Sequence, residues 1–269
     1  MTHRPKKALG QNFLVDPNLQ RKTVAELGAT PDDVVLEVGP GHGELSAHLV
    51  GEVHRLVLVE KDRELAGELE ARWGDRADAE VIQADALETD LSSFAIPGRD
   101  FRVLSNVPYN VTSPLIFAFL DIRPLPRRIV LTVQLEVAER VVADPGSKTY
   151  GALSVGVQAI ADARLVFRVG RHVFRPVPRV DSAVLVIDPI FERAATVDIG
   201  ALRTVTRAMF GQRRKQIQKI LRSAPALSHG PDPTVLMAAL GLDPAARPET
   251  LSPADFVSLS EAIGQPPES

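Results

Sequence analysis

Through its first two thirds the chain alternates short, unbroken apolar runs with stretches of helical spacing, and it ends in helical spacing alone. Val34–Val38, Arg55–Glu60, Glu80–Gln83, Phe101–Asn106 and Arg128–Gln134 are rich in Val, Leu and Ile and too short to be helices. Such runs predict strands of a mostly parallel sheet covered on both faces. Arg164–Val169 and Ala183–Ile187 predict two more, for an α/β fold with a seven-stranded sheet. Between them, helical spacing is read through Leu45 and Leu49, over Leu135–Val142 and over Leu153–Ala161. After Glu192 only helices are expected. Ala201–Phe210 places apolar residues at 202, 205, 208 and 209, Gly211 interrupts, and Gln212–Arg222 begins a new helix. Near the end Ser252 caps, Pro253 takes the first helical position, Leu251 can staple to Phe256, and Gly264 stops the helix. The expected organisation is an N-terminal arm at 1–22, a sheet domain at 23–192 and a helical domain at 193–269.

Composition narrows the class. The chain has 269 residues, 45% of them hydrophobic, enough for one large core and an appendage. It has no apolar run of about 18 residues, so no membrane span is expected, and no apolar segment follows the charged N-terminus to make a secretory signal. With no cysteine there is neither disulfide nor thiolate chemistry, which suits the cytosol, and no metal is expected. A net charge of −3 argues against nucleic acid until it is mapped along the chain. Seven cations and no acid lie between Arg203 and Arg222, namely Arg203, Arg207, Arg213, Arg214, Lys215, Lys219 and Arg222. Solvated charged faces usually mix signs; an unmixed cationic face favours phosphate. The arm adds Arg4, Lys6, Lys7, Arg21 and Lys22.

The candidate chemistry gathers at strand ends. Val34–Val38 runs into Gly39-Pro-Gly41-His-Gly43, a turn whose glycines let backbone N–H groups approach a ligand. Glu60 ends the next strand about 20 residues on, where such folds place an acid for ribose hydroxyls. The spacing is G-x-G-x-G, and Glu37 sits just ahead of it. A carboxylate there would repel a pyrophosphate and attract a sulfonium or amino group, which tilts the ligand from NAD toward S-adenosylmethionine. Asp85, after the third strand, is either an acceptor for an adenine amine or the cap of the Leu87 turn. Asn106-Val-Pro-Tyr109 closes the fourth strand with an amide, a carbonyl before a rigid turn and an aromatic face, suited to a planar base with an exocyclic amine. Phe174, Arg175 and Arg179 lie on a proline-stiffened loop expected to hold them out, with Phe174 facing Tyr109 across a base. Lys148 and Tyr150 are expected on an exposed loop at Asp144–Gly151.

In their order and spacing, Leu9–Leu14, Glu37–Gly43, Asn106–Tyr109, Pro145–Gly151, Phe174–Ser182 and Phe210–Lys215 resemble the small-subunit ribosomal RNA adenine dimethyltransferases. Val107 stands where that family usually has leucine. The resemblance implies a Rossmann-like methyltransferase domain followed by a small helical one. It also implies that Asn12, Leu14, Gly39, Gly41, Glu60, Asp85 and Asn106 contact S-adenosylmethionine, and that Asn106, Pro108, Tyr109 and Phe174 handle the target base. The implied substrate is a pair of adjacent adenosines in a 3′-terminal hairpin loop of small-subunit rRNA, met by one copy of the chain on a pre-assembled small subunit. Three other classes stay open: a large-subunit methyltransferase of the resistance type, a non-catalytic RNA-binding assembly factor, and a NAD-dependent dehydrogenase, which the glycine spacing disfavours.

Overall fold

The computed structural model describes Lys6 and residues 10–264; the expectations for Arg4, Lys7 and Leu9 fall outside them. In chain order the elements are β1 (Phe13–Leu14), α1 (Pro17–Leu27), β2 (Val34–Val38), β3 (Arg55–Glu60), α2 (Arg63–Trp73), β4 (Ala79–Gln83), β5 (Phe101–Asn106), α3 (Thr112–Leu120), β6 (Arg128–Gln134) and α4 (Leu135–Val141). They continue with α5 (Ala152–Gln158), β7 (Ala161–Val169), β8 (Phe174–Arg175), β9 (Ser182–Pro189), α6 (Phe191–Thr196), α7 (Ile199–Phe210), α8 (Ile217–Ser223), α9 (Pro233–Ala239) and α10 (Pro253–Ile263).

Seven strands form one sheet in the order β4-β3-β2-β5-β6-β9-β7. From β4 to β6 neighbours run parallel, and β9 joins β6 antiparallel. The chain leaves β2 toward β3 on one side and returns to β5 on the other, so the order reverses between β2 and β5. Ligands of open α/β sheets bind outside the carboxyl ends of the strands at such a reversal. Gly39 and Asn106 are the residues found there. α1 covers the face that carries Arg102, Leu104 and Asn106: Arg102 Nη1 donates to the Leu27 carbonyl at 2.9 Å and Arg128 Nη1 to that of Glu26 at 3.2 Å. Leu104, Val130, Val184 and Val186 form the core on this face with Leu14, Leu27 and Phe174.

By contact the described residues divide into two compact units, one holding those up to Ala138 and Ala163–Pro189, the other Glu139–Asp162 and those from Ile190 to Gly264. The sequence reading keeps Glu139–Asp162 with the sheet; in the structure its contacts are with the later helices. Within the second unit Tyr150 and Phe210 meet edge to face at 5.9 Å, and Phe210 stacks on Phe256 at 5.4 Å. α10 starts as expected, with Ser252 and Asp255 forming a reciprocal cap.

Two expected helices differ. The Leu45–Leu49 pattern yields only turns and a 3-10 segment at Ser46–His48; just ahead of it Gly43 holds φ +82° with Trp73 packed where a Cβ would lie, at 2.5 Å. Gln212–Lys215 is a turn, and α8 begins only at Ile217. No helix among the described residues is long and apolar enough to cross a membrane.

Candidate methyl-transfer site

Two adjoining clefts open at the sheet reversal. The larger, about 190 Å³, is lined by Gly39, Glu60, Lys61, Asp85, Leu87 and Pro108 among others. The smaller, about 50 Å³, lies against Asn12, Gly41, Glu60, Asn106, Pro108 and Tyr109. Gly39 lines both, and nothing lies within 4 Å of where its Cβ would be. A side chain there would stand in the space a ligand needs. At Gly41 the crowding comes from the protein, since a Cβ would meet the Phe13 ring at 2.8 Å. That ring stands 4.6 Å from His42, so the arm closes over the turn.

Glu60 is 6% exposed. Its Oε2 accepts from Gly41 N–H at 3.1 Å and its Oε1 from Asp62 N–H at 2.8 Å, which aims the carboxylate into the clefts. Burial holds its pKa above the usual carboxylate range, against the pull of these backbone donors. Glu37 is buried beneath the turn, where Ser46 Oγ donates to it at 2.6 Å. Burial pushes its carboxyl up to about 8, with Glu44 and Glu60 adding repulsion.

Asp85 caps its turn, as one of its two readings has it, and also stands on the cleft wall. Its Oδ1 accepts from Leu87 N–H at 3.0 Å, capping that turn, and its Oδ2 accepts from Lys61 Nζ at 2.5 Å on the wall of the larger cleft. The bond from Lys61 depresses its pKa. Lys61, beside Glu60 in sequence, is a cleft residue the sequence reading missed.

β5 ends at Asn106, whose Nδ2 donates to the Asn12 carbonyl at 2.8 Å. That bond fixes the amide with its nitrogen toward Asn12, and Asn106 lines the smaller cleft. The Pro108 carbonyl accepts from Val111 N–H at 3.2 Å and Thr112 Oγ1 at 3.3 Å, so it belongs to the turn. Tyr109 is half-buried, its hydroxyl 2.6 Å from Ser182 Oγ, and burial raises its pKa. Ser182 could not have been found by spacing, since it stands 73 residues from Tyr109.

Several expectations are corrected. Phe174 is not held out: it is 0% exposed, pairs with Leu14 through β1 and β8, and packs in the core. Leu14 is 2% exposed and turned into the same core. Tyr150 is 0% exposed, its hydroxyl donating to the Leu251 carbonyl at 2.9 Å. Arg213 is committed within its own unit, donating to the Lys148 and Ser147 carbonyls at 2.9 and 3.1 Å and pairing with Glu249 at 3.3 Å. Arg203 also has an interaction partner. Arg207, Arg214, Lys215, Lys219 and Arg222 are exposed as expected.

A glycine turn after the first core strand, an acid ending the second and a polar-proline-aromatic turn ending the fourth are the features of a Rossmann-like methyltransferase. Residues 2–265 match the family model described as ribosomal RNA adenine dimethylase. Ribosomal RNA small subunit methyltransferase A of Nitratidesulfovibrio vulgaris (strain Hildenborough) is 44% identical over 265 residues, 98% of this chain and 98% of that protein. The protein of the same name from Geobacter metallireducens is 40% identical over 263 residues, 97% and 96% of the two chains. Among solved structures, a dimethyladenosine transferase from Plasmodium falciparum superposes with a TM-score of 0.80 at 26% identity, covering 92% of this chain and 95% of that one. The 23S rRNA methyltransferase ErmE gives a TM-score of 0.69 at 25% identity, covering 93% and 99%. The chain belongs to the ribosomal RNA adenine dimethylase family.

Proposed function

We propose that this chain transfers methyl groups from S-adenosylmethionine to the N6 amines of two adjacent adenosines in a 3′-terminal hairpin loop of small-subunit rRNA, giving N6,N6-dimethyladenosine. The observation that carries the reading, beside the family membership, is the oriented Asn106 amide at the sheet reversal. S-adenosylmethionine supplies an electrophilic methyl on a sulfonium. The residues present fit it: an open turn at Gly39, a buried carboxylate at Glu60 for the ribose hydroxyls, and Asp85 with Lys61 on the wall that would meet the adenine. Asn12 and Gly41 complete the smaller cleft.

An adenine amine is a poor nucleophile because its lone pair is delocalised into the ring. Asn106 Oδ1 accepts one amine proton. Because the Pro108 carbonyl is engaged in its turn, the Val107 carbonyl accepts the other. Both bonds draw the nitrogen toward tetrahedral geometry and free its lone pair. Tyr109 stacks on the extruded base and holds that lone pair in line with the methyl group. No strong base is required, because methylation makes the nitrogen cationic and its proton acidic. For the second transfer the monomethylated amine keeps one proton, so a single acceptor bond orients it. Phe174 supports this site from the core through its pairing with Leu14.

Arg207, Arg214, Lys215, Lys219 and Arg222 take rRNA phosphates, and the substrate is the assembled small subunit in the cytoplasm. The test is transfer of labelled methyl groups to unmethylated small subunits, with the modified positions mapped. Label on two neighbouring adenosines near the 3′ end is expected. Label elsewhere, or binding without transfer, would overturn the reading.

A further inference from the structure

The excursion Arg175–Asp181 runs along the surface between two anchors, with Pro178 buried at its middle. At its start Arg175 pairs with Phe13 and the buried Phe174 with Leu14. At its end Ser182, 0% exposed, meets the Tyr109 hydroxyl at 2.6 Å. Between the anchors Val177 and Val180 are 47% and 45% exposed, and Val15, whose N–H bonds the Val173 carbonyl at 2.9 Å, adds another exposed valine at the root. Pro176 and Pro178 stiffen the excursion. Arg171 braces it by donating to the Arg179 carbonyl at 3.2 Å and to Asp181 at 3.0 Å, while Arg175 donates to the His172 and Phe174 carbonyls at 2.9 Å. A braced apolar tip, carried two residues from the partner of Tyr109 and rimmed by Arg171, Arg175 and Arg179, faces a partner that has both negative charge and apolar surface. RNA with an opened base stack offers both.

Building on the function proposed above, we infer that Val177 and Val180 form a wedge that enters the rRNA beside the target adenosine. They fill the gap left when that base swings out to Tyr109, and Arg179 takes a flanking phosphate. Extruding a base sacrifices stacking, and apolar side chains inserted between base steps are the usual compensation.

The test uses small subunits reconstituted with rRNA carrying 2-aminopurine at one of the two target positions, whose fluorescence rises when the base unstacks. Wild type is expected to raise it. Val177→Ser with Val180→Ser should abolish the rise and lower turnover on ordinary subunits by about tenfold or more, leaving cofactor affinity and the salt dependence of binding unchanged. Val177→Leu with Val180→Leu should keep the rise, since apolar bulk is preserved. An undiminished rise in the serine pair would overturn the wedge. So would weaker binding with normal extrusion, which would assign the valines to a protein of the subunit. A flat signal from wild type would instead remove the base-extrusion step of the proposed function, and the wedge with it.

Discussion

Glu60 gathers Gly41 and Asp62 N–H groups around a nearly buried carboxylate, so its removal should be felt first by the cofactor. Glu60→Ala is expected to weaken S-adenosylmethionine by about 1.5–3 kcal/mol, the range for hydrogen bonds to a charged group, and an unchanged dissociation constant by calorimetry would refute the ribose assignment. Glu37 governs stability instead. Its carboxyl titrates at about 8 in the fold against an ordinary 4.5, so between those values the folded state holds a proton that the unfolded state has released. Stability therefore falls as pH rises through that window. Glu37→Gln, which keeps a neutral group beside Ser46, should flatten the decline of melting temperature with pH; an unaltered slope would show that Glu37 is ionised throughout. The Tyr109 and Ser182 hydroxyls are paired, which fixes the attitude of the ring proposed to stack on the base. Tyr109→Phe and Ser182→Ala should each slow transfer by about 0.5–1.5 kcal/mol, and the double variant by no more than either alone, with cofactor affinity untouched. Additive losses would show that the two hydroxyls act separately.

At the scale of elements, what could be read from sequence was whatever a local pattern decides. β2, β3, β5 and β6 begin and end where their apolar runs do, because a strand buried on both faces has little other way to be written. The cap of α10 was equally legible, since Ser252 and Asp255 satisfy each other within one turn and Pro253 takes the first helical position, where no N–H is needed. The misreadings share a cause: a partner distant in sequence outweighs local composition. Phe174 and Tyr150 sit in segments whose prolines and glycines signal exposure, yet Leu14 and Leu251 draw them inside. In the site, Glu60 and Asn106 could be read because strand ends announce them, whereas Ser182 and Lys61 needed the fold. Arg213 is the instructive case, a cation that composition assigned to phosphate and that structure commits to the Ser147 and Lys148 carbonyls. Arg213→Gln should speed amide hydrogen exchange across Gly146–Gly151, whereas Arg214→Gln should not. Equal protection in the two variants would return Arg213 to the phosphate-binding set.

For the molecule as a whole, charge is distributed against its sum. The chain is net −3, yet Arg203–Arg222 contains seven cations and no acid. Four of the seven already have partners: Arg213 in Glu249 and two carbonyls, Arg203 in an interaction of its own, Lys215 in the Gln212 side chain and Arg222 in the Thr234 hydroxyl. The five that are exposed are Arg207 on α7, Arg214 and Lys215 in the turn, and Lys219 and Arg222 on α8, and the bonds of Lys215 and Arg222 are to neutral groups that leave their charge unbalanced. Each such cation that neutralises a phosphate releases condensed counterions, and the slope of log affinity against log salt steepens by about 0.7–0.9 per contact. Arg214→Gln with Lys215→Gln should therefore flatten the slope for small subunits by about 1.4–1.8. The same pair should raise the apparent KM, leaving the choice of adenosine and the cofactor affinity alone. Arg213→Gln is the control that separates charge from architecture: because Glu249 already balances its charge, binding should weaken through the loosened loop with the slope unchanged. Filter binding across a salt series reads all three proteins together. Parallel lines for wild type and the Arg214, Lys215 double variant would make this stretch an ordinary solvated face, and a flattened line for Arg213→Gln would show its guanidinium leaving Glu249 for the RNA.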